Sequence, residues 1–468
     1  MDEIEGGKGL FDLKGFFSFD MAKKIIKPKE ANPIAIVLLS FLGVILIGAI
    51  LLLLPFASKG EPTSIIDALF TSTSATCVTG LVVKDTATHF SLFGQAVILL
   101  LIQIGGLGYM TITTFFAILV GRKLGLGTRL ALKENLNLSS ISGVVKLARR
   151  ILVFIITLES IGGVILYLHW RKMGFGLWTA IKYAVFHSVS AFNNAGFDVM
   201  GGFKSLSDYA SDPVVLFTIS GLLIAGGLGF IVMSNIYEAV FYKRRISLQT
   251  KIVVVASIAL LVIGSFLIFS FEAANPATLG PLSFKDKVIN SFFQSASART
   301  AGFNTITTGQ MTLNGLFAIM LLMFIGASPG GTGGGIKTVT FVVVLAAIYS
   351  FLKGKRETDL GNRSIDNSLV MKAMSVLILS LFLIIFITFA LCAVNNLTFI
   401  QNLFETTSAF GTVGLSTGIT PFLNAWSKLI IAFTIFVGRV GILSFILSMY
   451  TTKYINKVHL PKEELSVG

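Results

Sequence analysis

Cysteine is almost missing from this chain of 468 residues, and the two present, Cys77 and Cys392, are separated by most of its length. That leaves neither a disulfide framework nor a thiolate metal site. Histidine is as scarce. Of the four, His89 and His169 flank apolar runs, His187 has no acidic neighbour in sequence and His459 lies near the C-terminus. The converging titratable groups that an enzyme site requires are therefore lacking. Charge is the third shortage: only 13% of the residues are charged and 54% are apolar, whereas soluble domains carry about 25% charged residues. With a mean hydropathy of +0.84, the chain reads as an integral membrane protein.

What is abundant is apolar sequence. The runs cover 34–56, 94–120, 151–169, 214–240, 252–271, 315–325 with 339–351, 370–394 and 429–450. A bilayer core of ~30 Å needs about 20 apolar helical residues, so the runs predict eight crossings. The first thirty residues carry six lysines and no continuous apolar core, unlike a cleaved signal peptide; 8–28 could lie on the membrane surface.

The net charge of +14 could suggest nucleic acid, but its distribution speaks for lipid. With the N-terminus inside, the segments 1–33, 121–150, 241–251, 352–372 and 451–468 hold 25 of the 37 Lys and Arg. Ten fall outside, and Lys337 and Arg439 fall within the membrane. This asymmetry places both termini in the cytoplasm. The basic face would lie against anionic lipid and offer a docking surface to an acidic cytosolic partner; nucleic acid is not expected as a partner.

Four Ser/Thr-rich stretches recur between these runs. They begin at Phe70, Phe186, Phe293 and Phe404 and end at Gly80, Gly196, Gly302 and Gly414, glycines that lie 116, 106 and 112 residues apart. A fixed period of this kind marks one structural unit used repeatedly. The reading is 34–120, 121–240, 241–351 and 352–450 as repeats one to four, with 1–33 and 451–468 as cytoplasmic tails. Each repeat reads as span, short loop helix, glycine stretch, span. The loop helices, 63–75, 176–191, 285–298 and 397–409, cover only about half of the hydrocarbon at 1.5 Å per residue. They are expected to enter from outside and turn back, which non-helical backbone tolerates only where protein encloses it or it lines water. The fold expected is all-α: four span–pore loop–span repeats in pseudo-fourfold array around one pore, with eight spans and four re-entrant loops.

Gly, Ser, Thr and Ala suit such convergence, because four strands on one axis leave no room for large side chains. Glycine also permits the positive φ that aims carbonyls inward. Rings of backbone carbonyls can replace a cation's hydration shell, and the C-terminal ends of the loop helices add negative potential. The expected ligands are the carbonyls of Thr79, Gly80, Ala195, Gly196, Ala301, Gly302, Val413 and Gly414, holding a potassium or sodium ion with no organic cofactor. Asp67, Asp198, Asp286 and Glu405 are expected at or near the outer mouth, where they could concentrate cations or simply cap or flank their loop helices. From Phe to Gly there are ten positions in repeats one, two and four but nine in repeat three, so the ring is not expected to be perfectly fourfold.

These motifs, in particular Thr-Ser-Thr-Ser-Ala-Thr-Cys-Val-Thr-Gly-Leu at 71–81 and Phe-Asn-Asn-Ala-Gly-Phe at 192–197, closely resemble the Trk/Ktr/HKT superfamily of cation transporters. The Ala-Arg-Thr-Ala-Gly-Phe-Asn run at 298–304, the length and the basic ends look most like the membrane subunits of bacterial Ktr potassium uptake systems. The resemblance covers about 34–460. It implies a multi-pass protein of a prokaryotic plasma membrane, a homodimer, and a cytosolic ring of KtrA/TrkA-type nucleotide-binding subunits that gates transport. In plant relatives a serine in place of the first filter glycine goes with sodium selectivity, so Gly80 favours potassium.

Below the glycine stretches, each second span has a glycine cluster, beginning at Gly105, Gly226, Gly326 and Gly438, 25, 30, 24 and 24 residues after the respective filter glycine. In three of them the glycines could serve close helix packing or keep the pore wide. The third, Gly326-Ala-Ser328-Pro329-Gly330-Gly331-Thr-Gly333-Gly334-Gly335, has six glycines and a proline in ten residues, which no helix survives unbroken. It is expected to form a gating loop at mid-membrane, where the superfamily places one. Its Gly-Gly-Gly-Ile-Lys-Thr end lacks the Gly-Lys adjacency of a phosphate loop. Arg439, a charge near a helix centre that costs about 2.5–3.5 kcal/mol to insert, is expected to repel passing ions below the filter, to bond the closed loop, or both. Glu159 could bond a neighbouring helix or help a coupling ion, and Arg299 is expected to point away from the pore. A sodium-carrying or sodium-dependent transporter is the alternative within the superfamily. An alternating-access carrier would show inverted twofold symmetry, which the fourfold period and a single broken helix oppose.

Overall fold

The computed structural model of the chain describes residues 33–108, 144–355 and 357–449. Both tails, the connection 109–143 and the end of the run 94–120 lie outside the described residues. Three helices are each long and apolar enough to cross a bilayer: α4 (Val144–Lys172), α8 (Leu248–Glu272) and α12 (Asn367–Val394). With α1 (Pro33–Leu53), they are the first helices of the four sequence units. Their outer faces stay apolar: Ile258, Val262 and Phe266 on α8 and Phe382, Ile385, Phe386 and Phe389 on α12 are all more than half exposed. An apolar surface of that extent is what a lipid environment accepts and water does not.

Short helices follow where the sequence places loop helices: α2 (Ile65–Thr76), α5 (Leu177–Phe192), α9 (Phe284–Ala298) and α13 (Phe399–Gly411). Local chemistry sets their starts. Ser64 and Ser283 accept the amides of Asp67 and Asp286, and Thr398 and Gln401 make a reciprocal capping box, each satisfying amides that the first turn leaves free.

The second helices are α3 (Leu92–Leu107), α6 (Pro213–Leu228), α10 (Leu313–Phe324) and α14 (Ala425–Val440). Here the structure departs from expectation, because the third is not the only broken span. After α6 the chain turns by 97° at Gly229 into α7 (Phe230–Tyr242), and after α14 by 94° at Gly441 into α15 (Ile442–Met449). Both glycines have φ near +90°, outside helical geometry and open to glycine alone without strain. After α10 the break is the loop 326–335, and the helix resumes as α11 (Thr338–Leu352). By length, the described residues contain three crossings, or five when each bent pair counts as one; the loop 326–335 divides the third unit's second run into α10 and α11. The single broken helix is therefore no argument against an alternating-access carrier; the cyclic packing below is.

The core closes in a cycle. The cluster of α1–α3 takes in Phe186, Ala195 and Phe197 from the second unit. That of α4–α6 takes in Phe293, Ala301 and Phe303 from the third. The third unit's cluster contains Phe404, Val413 and Leu415. The fourth unit's contains Phe70, Cys77 and Leu81, which returns to the first. Each leading phenylalanine and glycine stretch is thus seated in the preceding unit.

The fourth and first units are also joined by a mostly buried ion pair, Lys428 Nζ to Asp67 Oδ1 at 2.6 Å between α14 and α2. Lys428→Met should cost about 3 kcal/mol by leaving a buried carboxylate unpaired, seen as earlier thermal unfolding in detergent. Adding Asp67→Leu should recover most of the loss. A small hairpin, β1 (Thr358–Leu360) with β2 (Arg363–Ile365), pairs antiparallel across Gly361-Asn362, a Gly-Asn pair suited to a tight turn.

Candidate ion path

Each short helix ends in the same backbone turn. The residue two before the glycine is left-handed in all four: Val78, Asn194, Thr300 and Thr412, at φ 57°, 58°, 73° and 49°. The glycines Gly80, Gly196, Gly302 and Gly414 follow at φ 93°, 67°, 80° and 92°. The turn is tied back to a serine in the helix: the carbonyls of Ser74, Ser190, Ser297 and Ser408 accept the amides of Thr79, Ala195, Ala301 and Val413 at 2.8, 2.8, 2.9 and 2.8 Å. Only asparagine among the four left-handed residues favours that conformation, which is why the sequence did not reveal the turn. The residue missing from repeat three is absorbed between Ser297 and Gly302, where the Gly302 amide also reaches the Ser297 carbonyl at 3.3 Å.

The four turns meet. A Cβ built on Gly80 would lie 2.5 Å from the carbonyl oxygen of Ala195, and one on Gly196 2.7 Å from that of Ala301. One on Gly302 would strike the Val413 oxygen, and one on Gly414 the Thr79 oxygen. Each sequence-selected carbonyl thus faces the glycine of its neighbour, and the chain of contacts closes on itself. All four glycines line one cavity of about 270 Å³, together with Asp198 and Ser416. Of the four acidic residues expected at the mouth, Asp198 lines this cavity. Asp67 pairs with Lys428, and Asp286 accepts the Ser283 hydroxyl at its helix start. Glu405 is a correction: it is buried behind the fourth stretch, bonded to Ser416, Thr417 and Thr420.

The loop 326–335 lies against two of these turns. The Gly334 amide donates to Thr412 Oγ1 at 2.9 Å, and a Cβ on Gly333 would strike Thr300 Oγ1. Its other side docks on the α6–α7 break: Ser328 N to Gly227 O at 3.1 Å, Phe230 N to Gly330 O at 3.0 Å, and the Pro329 oxygen 2.7 Å from where a Gly229 Cβ would lie. Lys337 caps α11 and its Nζ donates to the Gly333 carbonyl at 2.6 Å. Arg439 donates to the carbonyls of Thr332 and Gly105, clasping the loop to the end of α3. Gly330, Gly331, Gly333, Gly335, Lys337 and Arg439 are among the residues lining a second cavity, of about 150 Å³. Gly326 packs its Cα against the Gly334 carbonyl.

The glycines of the remaining clusters serve close packing. A Cβ at Gly105, Gly226 or Gly438 would collide with the carbonyls of Thr76, Phe192 or Phe410, at the ends of the short helices. Glu159 accepts from Asn193 Nδ2 at 3.0 Å and Gln103 Nε2 at 3.4 Å, linking α4 to the ends of α5 and α3. Arg299 reaches Ser257 on α8 rather than either cavity.

Comparison with known proteins gives the family. The family model described as "TrkH: Cation transport protein" matches residues 11–454. The chain is 41% identical to Ktr system potassium uptake protein B of Bacillus subtilis (strain 168), over 95% of this chain and 99% of that one. It is 40% identical to the protein of that name from Vibrio alginolyticus, over 92% and 94%, and 39% identical to potassium/sodium uptake protein NtpJ of Enterococcus hirae, over 90% and 93%. The crystal structure of the potassium transporter TrkH from Vibrio parahaemolyticus superposes with a TM-score of 0.70 at 16% identity, covering 91% of this chain and 86% of that one; that likeness concerns the fold. The chain belongs to the TrkH family of cation transport proteins.

Proposed function

We propose that this protein is the potassium-translocating subunit of an uptake system in a prokaryotic plasma membrane, a transporter and not an enzyme. The observation that carries the reading is the closed cycle of carbonyl-to-glycine contacts among Gly80, Gly196, Gly302 and Gly414. Four sets of main-chain oxygens on one axis can replace the water around a monovalent cation without any carboxylate. The four units 34–120, 121–240, 241–351 and 352–450 are then pore repeats with eight spans in the bilayer, both termini cytoplasmic and the basic face against anionic lipid. The loop 326–335 is the gate: it fills the path between the glycine ring and the lower cavity, and Arg439 and Lys337 hold it with charge-assisted bonds.

Two of the relatives are named as protein B of a Ktr system, which supports a partner subunit; the resemblance to the superfamily implies that this partner is a cytosolic ring of nucleotide-binding subunits acting on a homodimer. The relative named for potassium and sodium favours, as a second reading, sodium transport or sodium dependence. Both readings meet one experiment. Purified protein in potassium-loaded liposomes should take up rubidium, with flux raised by a co-reconstituted regulatory ring and sodium carried poorly. Equal sodium flux would select the second reading, and no cation flux in either condition would refute both.

A further inference from the structure

The four serines that anchor the turns, Ser74, Ser190, Ser297 and Ser408, each stand four residues after the leading phenylalanine, and all are fully buried. Their main-chain carbonyls act alike, as described above. Their hydroxyls do not. Ser74 Oγ accepts the Gly80 amide and Ser408 Oγ the Gly414 amide, both at 3.1 Å. Ser190 Oγ instead donates to the Phe197 carbonyl at 2.6 Å, and Ser297 Oγ donates to the Phe303 carbonyl. The division follows the sequence: the residue after the glycine is Leu81 or Leu415 in the first kind and Phe197 or Phe303 in the second. It also follows the ring, because stretches four and one touch, and stretches two and three touch.

A carbonyl that accepts a buried hydroxyl points at that hydroxyl. Turning it to an ion would break the bond and leave the hydroxyl buried without a partner, which is unfavourable. The serines lie in the helices behind the strands, so the Phe197 and Phe303 oxygens are drawn toward the protein body. Among the described residues no hydrogen bond engages the Leu81 or Leu415 carbonyl. In those two stretches the glycine amide is held and the next carbonyl is left free.

We propose that these serines are positioning residues that make the outermost layer of the ion path two-sided, with two main-chain oxygens available to a monovalent cation and two withdrawn. The inference rests on reading the glycine ring as the ion filter. A cation leaving the carbonyls of Gly80, Gly196, Gly302 and Gly414 for the outer cavity then exchanges half of its protein ligands for water in one step. The rim holds it loosely, so exchange with the outside is fast, and discrimination is left to the layers beneath.

The test is a pair of double replacements assayed by rubidium and sodium flux in proteoliposomes. S190A/S297A releases two carbonyls to the rim and should lower the apparent KM for rubidium about fivefold, the equivalent of one ordinary hydrogen bond, with a fall in kcat. S190T/S297T keeps the hydroxyls and should restore both values. S74A/S408A leaves the number of rim carbonyls unchanged but frees two glycine amides; it should lower the rubidium-to-sodium flux ratio about fivefold without lowering KM. Alanine pairs that behave alike, or that reduce flux with KM and the ion ratio unchanged, would overturn the proposal. Should S74A/S408A fail to fold, the contrast of alanine with threonine at 190 and 297 decides alone. Gly80→Ser run in parallel separates the two levels: an unchanged ion ratio there refutes the filter reading, whereas a changed ratio with indistinguishable serine pairs refutes only the serine roles.

Discussion

Gly80→Ser is expected to lower rubidium flux about tenfold and to raise sodium flux relative to it. Gly80 has φ +93° and its Cα side abuts the Ala195 carbonyl, which an added Cβ would approach to 2.5 Å. A side chain in that backbone region costs roughly 1–2 kcal/mol, and ~1.4 kcal/mol is a factor of ten in an equilibrium. The strand can relieve the collision only by moving, and it takes the Thr79 and Gly80 carbonyls with it. The widened ring no longer matches potassium, and a hydroxyl is added that suits a smaller, more strongly hydrated ion. Ion-replacement flux in proteoliposomes measures both effects. A variant that folds and keeps the parental rubidium-to-sodium ratio would remove Gly80 from the filter.

Arg439→Ala is the second change with a large expected effect, and its sign is opposite. The guanidinium clasps Thr332 of the 326–335 loop and Gly105 of α3, and hydrogen bonds from a charged donor are worth about 1.5–3 kcal/mol each. Its charge also lines the lower cavity, and on the proposed ion path a fixed cation there raises the barrier. Alanine removes the latch and the repulsion together, so basal flux without any regulatory partner should rise about tenfold or more, given that ~1.4 kcal/mol is tenfold. Deleting residues 330–334, which removes the loop itself, should raise it further. If Arg439→Ala unfolds at lower temperature while basal flux stays at the parental level, the residue is a brace and not a latch.

Much of this was legible in the sequence because glycine and small polar residues have few other uses inside a membrane. Phe70, Phe186, Phe293 and Phe404 marked the start of each unit, and the glycines ten or nine positions later marked the convergence. The loop 326–335 was visible because six glycines and a proline leave a helix no choice. What stayed hidden depended on partners remote in the chain. The breaks at Gly229 and Gly441 look like packing glycines until the loop and the α14 end are seen beside them. Glu405 reads as a surface acid, yet it is enclosed by hydroxyls eleven to fifteen residues later. Val78, Thr300 and Thr412 give no hint of left-handed backbone, since cyclic packing and not propensity imposes it. The two uses of the anchoring serines were equally hidden, because donor and acceptor roles of a hydroxyl are fixed only by its surroundings.

The most direct measurement is the position of rubidium in crystals of the protein, located by anomalous scattering at rising rubidium concentration. A peak on the common axis of the four glycine stretches, among the carbonyl oxygens of Thr79, Ala195, Ala301 and Val413, is the expected result, weakened when sodium replaces rubidium. Saturating rubidium with no density there, or bound only along the basic cytoplasmic face or in the lower cavity beside Arg439, would contradict it.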